Sequence, residues 1–473
     1  MTALAAVAAW LQPALVAALA FRVTAGAADA PWLGLAALVA PLVALLARGR
    51  PLAPNRVTAT VATITVTLVL AADFLLAAEA ATLLGAPRWQ GAVLAALPAV
   101  IVAAWPAAGR LSPGALAAAA GALLLAPAAV ALAAGSPLTA WHRSGTRPAL
   151  TFASESPWVV AGERFARPTT LRFTEGQRVV VLTAGVYRVV ERDVVPPTVR
   201  EWRLAAGEAL TLRPGDELSV EDGARLRFEA GRRVPGAPAS GIAWADAIAR
   251  GPRMLPLAAG AVVTLLGAAL ALVPTARRGR AAAAGPLVLL AAVTAALAWG
   301  VYAAGAPDLV LAGALPAPLL RLPALALGPG GAPLAWLTGL ALVLMLATAS
   351  VALRQRLAAS GSVALELWVG AVVVATALAV WPLDPWRVLT LGLGLAAAAW
   401  APARLATSAA GALAGPIVGG VAFVALAALP ALAPGAPVWL DALARYPALV
   451  AMPLGWLAAR AMPPDGEGVA PTG

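Results

Sequence analysis

Long runs of nearly uncharged residues recur along the chain, and they constrain its fold more than any other feature. A run of 18 or more such residues is long enough to cross a hydrocarbon core of about 30 Å as a helix. The chain is 61% hydrophobic and 12% charged, against about 25% charged in a typical soluble domain. No soluble core could hide this much apolar surface. The runs fall at about 3–21, 31–47, 58–80, 91–108 and 113–134, then at about 254–274, 284–304, 332–352, 362–381, 387–406, 409–433 and 439–460. The expectation is a mainly α polytopic membrane protein with about twelve transmembrane helices, five before and seven after one charged stretch, Trp141 to Arg253. That stretch holds about half of the arginines and more than half of the acids.

Arginines in the short loops set the threading. Arg48, Arg50 and Arg56 follow the second run, Arg110 the fourth, Arg277, Arg278 and Arg280 the sixth, Arg354 and Arg356 the eighth, and Arg404 the tenth. If twelve spans alternate, all these loops share one side, which the positive-inside rule makes the cytoplasm. Both termini are then cytoplasmic in a bacterial inner membrane, including a flexible tail over 463–473, and the charged stretch is extracytoplasmic. Trp32, Trp89, Trp105, Trp336, Trp381, Trp386 and Trp439 fall near expected span ends, where an amphipathic ring prefers the headgroup layer. The small residues at 25–30 resemble a cleavage site, but the preceding run of about nineteen residues favours a retained helix.

Two segments depart from this pattern. The first, 306–331, is apolar but broken by Pro307, Pro316, Pro318, Pro323 and Pro329, with Arg321 in its middle. Proline removes a backbone donor and clashes inside a helix, so a re-entrant or interfacial hairpin on the outer face is expected there.

The second is the charged stretch, where the period changes to alternation. Strands are expected at 170–173, 178–182, 186–190, 199–204, 209–212, 217–220 and 225–228, with turns at Glu175-Gly176 and Ala184-Gly185 and an interruption at Pro196-Pro197. The last two read as a hairpin burying Leu218, Val220, Leu226 and Phe228 while Ser219 and Arg227 face outward. This gives a small antiparallel β barrel or sandwich domain over 141–235, inserted between membrane domains at 1–135 and 254–462. The Pro/Gly-rich linker 236–253 carries Ile242, Trp244 and Ile248 as a short interfacial helix. The Leu212-Arg213-Pro214-Gly215-Asp216 turn is of a kind found in compact barrels; proline presets φ and glycine supplies a positive φ.

Chemistry is narrowly bounded. The chain has no cysteine, one histidine (His142) and no lysine, which removes disulfides, thiol nucleophiles, Schiff bases and multi-histidine metal sites. No metal or cofactor is expected, and His142, beside Trp141 and Arg143, reads as a headgroup-level residue. The net charge of +11 sits largely in topology-setting loops, so the expected partner is the lipid bilayer and not nucleic acid.

The ligand or ion-pathway candidates are Asp73 and Glu79 in the third run, with Arg321 as a partner for either. An ionisable group at membrane depth costs at least about 2.5 kcal/mol and usually faces a cavity or partner. Against this, a helix starting near Val57 puts Asp73 toward the outer leaflet and Glu79 at the interface. Thr58, Thr60, Thr63, Thr65 and Thr67 then bond to i−4 carbonyls or pack against neighbours. Glu366 reads as interfacial, and Asp441 and Arg445 as a local i,i+4 pair.

Three functions compete. The first is a non-enzymatic envelope scaffold, its β domain meeting envelope proteins or glycans. The second is a secondary transporter with a five-plus-five inverted repeat, interrupted at Gln12-Pro13 and marked in the sixth run by Pro256, Gly260 and Gly267. The third is an envelope polymerase or glycosyltransferase acting on lipid-linked substrate through outer-face groups, including Asp384 and Arg387.

Overall fold

The computed structural model describes residues 7–24, 30–46, 55–104, 108–140, 156–158, 169–173, 176–191, 198–221, 224–228, 254–273, 284–304, 315–359, 364–432 and 438–463. Outside them lie His142, the linker with Ile242, Trp244 and Ile248, the Pro196-Pro197 pair, the loop arginines Arg48, Arg50, Arg277, Arg278 and Arg280, and the tail beyond 463.

Alanine- and leucine-rich segments, strong helix formers, become helices. Before the strands come α1 (Pro13–Thr24), α2 (Ala30–Leu46), α3 (Arg56–Leu83), α4 (Arg88–Ala104) and α5 (Ala108–Ala134). After them come α6 (Met254–Leu272), α7 (Ala284–Ala304), α8 (Ala317–Leu327), α9 (Ala332–Ala359) and α10 (Ala364–Val380). The series ends with α11 (Pro385–Leu395), α12 (Ala401–Leu405), α13 (Ala409–Leu432), α14 (Val438–Arg445) and α15 (Ala448–Ala461). A π-helical segment, Ala396–Trp400, joins α11 to α12. Seven helical stretches among the described residues are long and apolar enough to cross a membrane: α3, α5, α6, α7, α9 with its preceding turn, α11–α12 and α13. The shorter apolar helices α1, α2, α4, α10 and α15 stand at the other five expected runs.

The proline-broken segment contains a helix where irregular backbone was expected. Pro316 sits at the N-cap of α8 and Pro323 lies inside it. At eleven residues, α8 is about 16 Å long, too short to cross a 30 Å core. Gly328, at φ 60°, ends it, and a tight 3₁₀ turn at Gly328–Gly331 leads into α9. A Cβ at Gly331 would lie 1.9 Å from the Pro323 carbonyl oxygen, so only glycine admits this turn.

Eight antiparallel strands are described: β1 (Ser156–Trp158), β2 (Thr169–Arg172), β3 (Gln177–Val181), β4 (Gly185–Glu191), β5 (Thr198–Leu204), β6 (Ala209–Leu212), β7 (Glu217–Val220) and β8 (Leu226–Phe228). They form two four-stranded sheets, ordered β1-β8-β3-β6 and β2-β7-β4-β5. The expected hairpin between the last two strands is therefore corrected. Alternation assigned their faces properly, and Leu218, Val220, Leu226 and Phe228 are all buried. Yet β7 pairs with β2 and β4, while β8 pairs with β1 and β3. A short connection crosses between sheets instead of turning within one. β4 and β5 are the consecutive strands that do pair, from Gly185↔Leu204 to Glu191↔Thr198. Side chains from both sheets, among them Leu171, Phe173, Val179, Leu218 and Leu226, form one buried cluster.

Candidate functional site: a buried helix break

Pro13 lacks a backbone donor, and the helical path through 7–10 stops there before restarting as α1. Trp10 and Leu11 donate back to Val7 O, while Leu15 and Val16 donate to Gln12 O. The break is wholly interior: Val7 to Gln12 are each at most 1% exposed. Trp10 Nε1 fastens it to α2 through Ala37 O at 2.9 Å.

A restarted helix presents backbone N–H groups with no partner inside the helix. Asp73, on the α3 face buried with Leu70, Phe74 and Ala78, supplies one. Its Oδ1 accepts from Ala14 N at 2.8 Å. The half-helix thus begins on a carboxyl group, as the positive end of its dipole favours. Asp73 is 2% exposed, and its Oδ2 is buried with no hydrogen-bond partner. Gln12 repeats the pattern two residues away. Its Nε2 donates to Ala9 O at 2.8 Å, and its Oε1 is buried without a donor.

The other two candidates go elsewhere. Glu79 Oε2 accepts from Leu315 N at 3.0 Å, tying the end of α3 to the approach of α8. Arg321 is exposed on α8. Asp73 and Glu79 therefore hold separate backbone groups, and neither is joined to Arg321 by a hydrogen bond or ion pair among the described contacts. The threonines of α3 are mostly structural. Thr60, Thr63 and Thr67 bond to carbonyls four residues back, and Thr58 takes the capping Asn55. Glu366 is exposed in the first turn of α10. Asp384 caps α11 through Trp386 N. The Asp441 side chain lies outside the described residues.

A second buried polar cluster was hidden among arginines read as loop residues. Arg356 lies in the last turn of α9 and Arg404 in α12, each 9% exposed. Arg356 donates to Ala271 O, and Arg404 donates to Leu270 O and, at 3.0 Å, to Val273 O. Arg356 also stacks 5.7 Å from the Trp400 ring centroid. Carbonyls at a helix C-terminus have no acceptor role inside the helix, and cations favour that end. These arginines therefore close α6. Arginine position relative to an apolar run gave no sign of this: α9 continues past its run to Ala359, and Arg404 stands at the end of its run inside α12.

Among the described residues no group of three or more histidine, cysteine, aspartate or glutamate side chains could hold a metal ion. No family model, curated protein or solved structure matches the chain.

Proposed function

We propose that the protein is a secondary transporter of the cell membrane, with its moving parts in two sets of five helices and its working centre at the α1 break. The observation that carries this reading is the break itself: a fully buried interruption whose half-helix starts on a carboxyl group. Discontinuous helices near the bilayer midplane are the recurring site architecture of inverted-repeat transporters. Ala14 and Asp73 each lie ten residues before the ends of their helices, Thr24 and Leu83, or about 15 Å along the axis. That is half the thickness of a hydrocarbon core.

Helix packing supports the two sets. Let α1–α5 correspond to α6, α7, α9, α10 and α11. Then α1 packs on α7 as α6 packs on α2, α3 on α10 as α9 on α4, and α5 on α9 as α11 on α3. Five is odd, so the second set runs opposite to the first. Three extensive contacts, α3 with α4, α5 with α7 and α6 with α11, have no counterpart of similar extent, and α6 is continuous where α1 is broken.

The reading takes all twelve apolar helices as spanning. Contacts between helix ends agree with that alternation. Arg22 at the end of α1 stacks on Trp386 at the start of α11, and Arg88 opening α4 reaches Trp381 O beyond α10. Tyr302 near the end of α7 reaches Gly135 O beyond α5. The ends of α6 and α9 meet α12 through Arg356 and Arg404. The first group is extracytoplasmic in this threading, with the strands, and the second cytoplasmic. The strand orders match an eight-stranded jelly roll, two sheets face to face, displayed outside.

The test uses the absence of native cysteine. Leu11→Cys places a thiol at the break, and a water-soluble maleimide is applied to right-side-out and inside-out vesicles. Alternating access predicts labelling from both sides, at rates that shift when a pH gradient is imposed. A thiol inert from both sides under every gradient removes the reading.

A second reading, a scaffold displaying the β region to envelope proteins or glycans, draws on β5. Val199 and Trp202 of this edge strand are exposed, as is Val186 of the adjoining β4. Deletion of the strands without any envelope phenotype would remove it.

A further inference from the structure

We infer that one proton is held between Asp73 and Gln12, as a hydrogen bond from the Asp73 carboxyl group to the Gln12 amide oxygen. At the break the donors run out before the acceptors do. Asp73 Oδ1 has the Ala14 N–H, and Gln12 Nε2 has Ala9 O. What remains is two acceptor oxygens, Asp73 Oδ2 and Gln12 Oε1, both buried and both lacking a donor. They belong to side chains anchored two residues apart on one turn of backbone, Gln12 by its own chain and Asp73 through Ala14.

An ionised carboxylate can only accept, whereas a protonated one offers a single O–H donor. One proton therefore satisfies both oxygens at once, and buried polar groups are almost always satisfied. A metal ion fits less well, since calcium or magnesium takes roughly six or more oxygens.

No cation competes for the site. The charged and titratable groups on elements packed against α1 and α3 are Arg22, Arg56, Glu79, Arg88, Tyr302, Arg321, Arg354, Arg356, Glu366 and Arg387. Each lies within six residues of a helix end, and none donates to Asp73 Oδ2. The helix N-terminus behind Oδ1 lets the same carboxyl group release its proton to water when the break opens. This deepens the transport reading by naming the proton as the coupling ion.

The experiment is infrared difference spectroscopy of the full chain in lipid vesicles. The expected result is a protonated-carboxyl band in the native protein that is lost in Asp73→Asn. In Gln12→Leu, where the O–H loses its acceptor, the band moves to higher frequency. No such band, or a band unchanged in both variants, overturns the inference. A sodium-dependent gain in thermal stability that disappears in Asp73→Asn also overturns it, because a metal ion then fills the gap. If Asp73→Asn fails to fold, Gln12→Leu decides alone: a shifted band supports the proton, an unshifted one excludes it. The two claims fail separately. A protonated Asp73 in a protein whose Leu11→Cys never meets water keeps the inference and removes transport. A labelled thiol beside an ionised Asp73 does the reverse.

Discussion

Asp73 shows how one side chain can be structural and chemical together. Its Oδ1 satisfies the start of α1, and removing that acceptor leaves Ala14 N–H buried and unpaired, at a cost of about 1–3 kcal/mol. Asp73→Leu is therefore expected to lower the thermal midpoint of the detergent-purified protein. Asn keeps an acceptor for Ala14 and adds an N–H₂ for Gln12 Oε1, so it mimics the protonated acid. Asp73→Asn should retain native stability, and a loss as large as that of Asp73→Leu would contradict this account. Both acids of α3 were visible in the sequence as costly intramembrane groups. Their partners were not, because Ala14 and Leu315 contribute only backbone N–H groups, which every residue but proline has. The break was half legible: Gln12-Pro13 marked an interruption, but nothing local said that α3 would fill it.

Between elements, the closest packing sets α13 against α15 and the π segment through small residues spaced four apart. A Cβ at Gly411 would lie 2.3 Å from Ala459 O, and one at Gly419 only 1.8 Å from Ala398 O of the π segment. At Gly415 the approach to Ala459 Cβ is 3.0 Å. Small residues let apolar helices approach where no hydrophobic effect drives them together. Gly419→Ala must push the helices apart, and overpacking of this kind costs about 1–3 kcal/mol. Gly420→Ala meets only Ala399 Cβ at 3.7 Å and should be tolerated. Equal thermal midpoints for the two variants would show that α13 does not pack this way. The spacing Gly411, Gly415, Gly419 stood in the sequence as a legible signal, but an excess of alanine everywhere masked it. In the strands, alternation fixed which side chains are buried, since faces follow a period of two. It could not choose partners, because β7 and β8 line the same core from different sheets.

Tyr187 extends this to the pH response of the β region. Its Oη donates to Thr183 O at 2.6 Å, and burial raises its pKa from the ordinary value of 10.0. The unfolded chain therefore loses this proton at a lower pH than the folded one. Above about pH 10 the unfolded state gains stability and the folded strands lose it progressively; below that the group contributes no pH dependence. The strand signal in circular dichroism should melt earlier as pH rises through about 10. Tyr187→Phe should flatten that slope, and an unchanged slope would place its cause in another group.

At the scale of the whole molecule, the proposed threading links the α1 break to the position of the strands. The arginine count and the helix-end contacts share Arg356 and Arg404, while the contacts of Arg22, Arg88 and Tyr302 add pairings between distant segments that the count does not use. They divide the helix ends in the same way. Leu84, just past α3, is 70% exposed and falls on the extracytoplasmic side of that division. Ala359, the last residue of α9, is exposed and falls on the cytoplasmic side. In a chain without cysteine, Leu84→Cys should react with an impermeant maleimide added outside intact cells, and Ala359→Cys only after the membrane is opened. If both react from one side, the alternation fails between α3 and α9, and the strands lose their outside position. The opposed orientation of the two five-helix sets would fall with it, because that orientation rests on an odd number of crossings in each set. A buried carboxyl group would remain at the α1 break, but with no second set of helices to rock against it.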